Sequence, residues 1–172
     1  MIWKKRTIES LTEIEKTHCL EQMEPERREQ VLNINHEPRQ KAAILGECMA
    51  KTMLAELSGV PIDEIRILRT EKGKPYAEGL PYFSITHTEN YVAVAVSRHP
   101  IGIDMERLRP ADPRLAERIG ADPTHFFEEW TAKEAHYKIY GDPNFKNINY
   151  ADLSPMHFYE DGYIITILKK EK

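Results

Sequence analysis

The sequence has too little cysteine for a thiolate metal site. Cys19 and Cys48 stand apart inside helical patterns, with no metal-ligand spacing around either. They read as buried free thiols in a reducing compartment. No apolar run is long enough to cross a bilayer. Lys4, Lys5 and Arg6 run into charged sequence where a signal peptide would carry its apolar core. Neither sign of charge dominates: 24 Lys and Arg stand against 28 Asp and Glu in 172 residues, so nothing marks a nucleic-acid surface. Low-complexity linkers are also missing. These absences leave a soluble cytoplasmic protein that binds neither nucleic acid nor membrane. Its length allows one compact domain, or two small lobes, with a real core.

Periodicity orders the chain. Residues 1–8 fit a first strand. Ser10 with Glu13 forms a capping-box pattern, which predicts a helix to about Met23. Pro25 opens a second helix, in which Arg27 and Arg28 read first as a solvated basic face. Pro38 opens the longest helix, closed near Ser58 by Gly59 with Pro61 beyond. Arg39 and Lys41 lie in its first turn against the helix dipole, either as plain surface charge or as an anion contact. Residues 65–70 alternate like a strand, and Gly73 and Pro75 punctuate a turn over 71–76. Residues 82–88 and 91–97 form a hairpin around Glu89 and Asn90. His87, at the end of its strand, reads on its own as a hydrogen-bonded structural histidine. Residues 107–122 are charged and carry prolines; they read as a mobile flap with a short helix near 114–119. Asp122 and Pro123 start another long helix, which runs to Tyr140 and stops at Gly141. Two strands, 156–160 and 163–168, flank Asp161 and Gly162. The order strand, long helix, strands thus occurs twice, with no repeated sequence.

Chemistry gathers in two stretches. Ile101, Ile103 and Met105 alternate with Gly102, Asp104 and Glu106, so the two acids share a strand face. Adjacent carboxylates repel unless a cation or a proton lies between them, although such pairs are common on exposed strands. On the following helix Trp130, Glu134 and Lys138 recur at helical spacing with Phe126 and Phe127. The Glu134 and Lys138 charges therefore lie beside an aromatic stripe that needs burial. Asp104, Glu106 and Glu134 offer only oxygen, which suits magnesium or manganese over zinc. Lys133 and Lys138 are placed to neutralise charge on a transferred phosphoryl group.

With these stretches in view, the sequence resembles the 4'-phosphopantetheinyl transferase superfamily, in its larger two-lobed, surfactin-synthetase-activating class. Residues 102–106, Gly-Ile-Asp-Met-Glu, are similar to the family's Gly-Ile-Asp-hydrophobic-Glu motif. Residues 130–138, Trp-Thr-Ala-Lys-Glu-Ala-His-Tyr-Lys, are similar to its Trp-x-x-Lys-Glu-Ala/Ser-x-x-Lys motif. Gly-Lys-Pro at 73–75 and Phe-Ser-Ile-Thr-His-Thr at 83–88 resemble two more signatures in the expected order. The resemblance implies that coenzyme A donates its phosphopantetheine arm to a serine of an apo acyl or peptidyl carrier protein, releasing adenosine 3',5'-bisphosphate. It implies magnesium on Asp104, Glu106 and Glu134, with Glu134 or a metal-bound water as base and Lys138 as countercharge. It further implies that Lys133 lies near Lys138, that Thr86 and His87 contact the coenzyme phosphates, and that Lys74 and Pro75 flank the adenine.

The sequence departs from the family pattern where the long helix should open with arginine and threonine, since Ala42 and Ala43 stand there. The family's upstream lysine pair reads Arg27 and Gln30. Arg27, Arg39 or Lys41 are the remaining candidates for the 3'-phosphate. The fold implied is α+β: two pseudo-equivalent lobes, 1–98 and 99–172, each a long helix on a small antiparallel sheet. The active site would lie in the cleft between them, in a monomer. The alternatives are a catalytically silent coenzyme A or carrier-binding protein and a magnesium-dependent phosphohydrolase.

Overall fold

Helices alternating with short antiparallel strands make this an α+β protein in the computed structural model, which describes residues 1–141, 148 and 150–171. The chain divides into two compact units, Met1–Arg98 and His99–Lys172. The first holds β1 (Ile2–Thr7), α1 (Glu13–Glu21), α2 (Pro25–Leu32), α3 (Glu37–Ser58), β2 (Leu68–Arg69), β3 (Pro75–Tyr76), β4 (Tyr82–His87) and β5 (Tyr91–Ser97). The second holds β6 (Ile101–Arg107), α4 (Pro113–Ile119), α5 (Phe126–Tyr140), β7 (Leu153–Glu160) and β8 (Tyr163–Lys170).

In the first unit β1, β5 and β4 form an antiparallel sheet in that order, and β2 pairs with β3 beside it. Helix α3 lies on the sheet through Leu45, Met49 and Met53, which share a core with Phe83, Val92, Val94 and Val96. Gly46 permits the close approach: a Cβ there would come within 2.9 Å of an Ile85 methyl and 3.3 Å of a Val92 methyl. The helix ends as its sequence requires, on Gly59 at φ 78°.

Several expectations need correction here. Helix α1 is capped by Thr12, whose side chain accepts from the Glu15 amide, and not by Ser10. Residues Ile8–Ser10 wind into a 3-10 turn instead, and the Ser10 hydroxyl donates to the Thr7 carbonyl. Cys19 and Cys48 are not free thiols: they form a disulfide joining α1 to α3, with Cα atoms 5.5 Å apart. Both lie where α1 faces α3, so the pattern that buries them also brings them together. The strand expected over 65–70 shortens to β2, because Ile65 and Ile67 are drawn into the core. Pro75 belongs to β3, opposite Arg69, and not to the turn.

The second unit is an antiparallel sheet ordered β6, β8, β7, with α5 packed on β6 and β8. Asp161 at φ 54° and Gly162 at φ 77° make the two-residue turn between β7 and β8. Helix α5 starts at Phe126, after a separate 3-10 turn Pro123–His125 whose Thr124 amide donates to Asp122. It stops at Gly141, φ 70°. The stretch expected to be a mobile flap is anchored: Ala116 and Ile119 of α4 are buried with Phe126, Phe127 and Ile164. Its charges occupy only the outer face. Among the described residues no helix is long and apolar enough to cross a membrane.

Candidate functional site

Strand β6 and helix α5 meet so closely that one position must be glycine. A Cβ on Gly102 would fall 2.0 Å from the Ala135 carbonyl oxygen. Side chains two apart on a strand share a face, so Asp104 and Glu106 follow Gly102 on the side where α5 lies. Helix α5 answers with Trp130, Glu134 and Lys138, spaced four apart on one stripe.

Pairing across this contact is specific. The Lys138 ammonium donates to Asp104 Oδ1 at 2.8 Å and to the Ile103 carbonyl at 2.7 Å. Asp104 is buried, so the pair is shielded from solvent. The Trp130 indole donates to Glu106 Oε1 at 3.3 Å, and Arg109 holds the other oxygen of that carboxylate, also at 3.3 Å. Glu134 is half-buried, and its pKa is pushed above the ordinary carboxylate range. Burial is the main cause, followed by the negative charge of Asp104, with Glu106 adding to it and Lys138 opposing it. A polar row continues across the sheet, where Thr166 lies beside Asp104 and shares a hydrogen bond with Thr131 of α5.

Oxygen-only donors whose charges repel one another fit a hard divalent cation in chemistry. In arrangement, Lys138 already partners Asp104, and among the described residues no three His, Cys, Asp or Glu side chains are grouped to hold a metal ion. What the site offers as it stands is a carboxyl group of raised basicity, next to a lysine held by a buried acid.

The other candidate residues are placed as follows. Lys133 turns away from the acids: its buried ammonium donates to the Ile119 carbonyl at 2.7 Å, closing the end of α4. In the first unit Thr86 is buried on β4, and His87 ends that strand exposed. Lys74 stands in the β2–β3 turn and Pro75 begins β3. Arg27 donates to Glu47 at 3.1 Å, and Lys41 pairs with Glu37 at 2.9 Å. Sequence reasoning missed the polar roles of Trp130 and Arg109, although their spacing from Glu134 and Glu106 was a usable signal. It also missed Glu47, an acid inside the apolar face of α3.

Comparison with known proteins completes the picture. A family model described as 4'-phosphopantetheinyl transferase, N-terminal, matches residues 11–99. The 4'-phosphopantetheinyl transferase gsp of Aneurinibacillus migulanus is 31% identical over 121 residues, covering 62% of this chain and 51% of that one. The 4'-phosphopantetheinyl transferase psf-1 of Bacillus pumilus is 32% identical over 127 residues, covering 64% and 52%. In mouse, L-aminoadipate-semialdehyde dehydrogenase-phosphopantetheinyl transferase is 33% identical over 95 residues, covering 51% and 31%. The chain spans about half the length of the two bacterial relatives.

Proposed function

The chain belongs to the 4'-phosphopantetheinyl transferase family, and we propose that it moves the phosphopantetheine arm of coenzyme A to a serine of an apo acyl or peptidyl carrier protein. The observation that carries this reading is the meeting of Asp104 with Lys138 beside the raised carboxyl of Glu134. In the reaction the serine oxygen bonds to the phosphorus that bears the pantetheine arm. The bond from that phosphorus to the bridging oxygen breaks, and its electron pair leaves with adenosine 3',5'-bisphosphate. Glu134 takes the serine proton as the general base. Lys138 places positive charge beside the phosphoryl oxygens, and Asp104 keeps that ammonium in position. Asp104, Glu106 and Glu134 would hold magnesium, or manganese, which supplies Lewis-acid neutralisation of the diphosphate when bound.

The first unit, 1–98, takes the coenzyme: Lys74 and Pro75 at the adenine, Thr86 and His87 at the phosphates. Arg27 joins them through the N–H groups that do not bond to Glu47, and Lys41 by exchanging Glu37 for phosphate. The second unit, 99–172, holds the catalytic groups, with Lys133 in a supporting role through Ile119. The protein acts as a monomer. A second reading, coenzyme or carrier binding without transfer, is favoured by the engagement of Arg27 and Lys41 with acids. Incubation with coenzyme A, magnesium and a panel of apo carriers, followed by intact mass, tests both. A carrier gaining one phosphopantetheine arm supports transfer; binding with no mass gain in any carrier supports the second reading.

A further inference from the structure

One buried carboxylate of the first unit has no part in the proposed chemistry. Glu47 on α3 is 2% exposed, and its Oε2 accepts from Arg27 Nε of α2 and from Arg69 Nη2 of β2, each at 3.1 Å. Arg69 reaches further, its Nη1 donating to the Gly73 carbonyl at 3.0 Å. That carbonyl belongs to the β2–β3 turn, with Gly73 at φ 80°. The Gly73 amide donates to the Thr70 carbonyl at 2.8 Å, and the Lys74 amide to the Thr70 hydroxyl at 3.1 Å. A continuous chain of bonds therefore runs from α2 through one acid to the turn that carries Lys74.

Two guanidinium groups on one oxygen repel each other, and only the acid holds them together. Burial and the charge of Arg27 both disfavour the charged form of Arg69, and Glu47 opposes them. Among the described residues the buried Arg69 Nε has no hydrogen-bond partner, and this guanidinium is anchored by Glu47 and Gly73.

We propose that Glu47 is a positioning residue for the phosphate-bearing adenosine end of coenzyme A, setting the placement of Arg27 and, through Arg69, of the Gly73 and Lys74 turn. This rests on the transferase reading given above. Glu47→Gln keeps the shape and removes the charge. It is expected to speed amide exchange at Gly73 and Lys74 and to raise the coenzyme Kd and KM about tenfold, as loss of a charge-assisted hydrogen bond does. The carrier KM and kcat should stay near wild type. Arg69→Gln leaves Glu47 with Arg27; it should loosen the same turn amides with a smaller loss of coenzyme affinity. If Glu47→Gln does not fold, the partly exposed Arg69 carries the test by the same two readouts. Unchanged coenzyme affinity in a folded variant overturns the positioning role alone. So does an equal rise of coenzyme and carrier KM together with a lowered melting point. A wild type that binds no coenzyme A overturns the transferase reading, and this proposal with it.

Discussion

Gly102 lies against Ala135 with no room for a methyl group: the added carbon would be 2.0 Å from a backbone oxygen. The glycine of the Gly-Ile-Asp-Met-Glu stretch is therefore a packing requirement of the site, since it lets α5 bring Glu134 and Lys138 down beside Asp104. Gly102→Ala should force the helix off the strand. Overpacking a tight contact costs about 1–3 kcal/mol, and a clash with backbone places this change at the upper end. Chemical denaturation checks the loss; a variant as stable as wild type would show that α5 can ride higher without penalty.

The disulfide between α1 and α3 closes a loop spanning 29 positions. Constraint of the unfolded chain over such a loop is worth about 3–4 kcal/mol at 25 °C. Cys19→Ser and Cys48→Ser together should lower the denaturation midpoint by a corresponding amount. Reductant should destabilise the wild type and leave the double variant unaffected. A wild type insensitive to reductant would contradict the pairing.

Arg6 on β1 grips Glu15 on α1 through two bonds, 2.6 and 3.1 Å, and its guanidinium also reaches the Ser10 hydroxyl. The hydrogen bonds from Arg6 hold the Glu15 carboxyl below the usual carboxylate range. A depressed folded pKa means the stabilisation is complete above the unfolded value, about 4.3, and is lost as pH falls through the folded one. The pair is partly exposed, so about 0.5–1 kcal/mol is at stake. Glu15→Gln should be less stable than wild type at neutral pH, with the gap closing in acid. A constant gap at every pH would assign the loss to something other than charge.

Much of this was legible in the sequence, and the reasons are physical. Strand β6 and the β7–β8 hairpin follow from strict alternation and an Asp-Gly turn. Helix α3 announced both its ends with proline and glycine. Local pattern could not show which acids and bases would meet. Lys133 and Lys138 look equivalent along the chain, yet a helix turns them to different neighbours, one to Ile119 and the other to Asp104. Residues 107–122 looked mobile because charge hid Ala116 and Ile119, whose burial helps anchor α4. The cysteine pair was misread because long-range pairing leaves no trace in local periodicity. Glu47 escaped notice because its two partners are 20 and 22 positions away.

Glu134→Gln is the sharpest test of the central claim, because the substitution removes the base and keeps the shape. With coenzyme A, magnesium and an apo carrier that the wild type modifies, intact mass should show the carrier gaining a phosphopantetheine arm. The variant should leave the carrier unmodified while binding coenzyme A about as well as wild type. A carrier modified by the variant at the wild-type rate would contradict the role given to Glu134 and the account built on it.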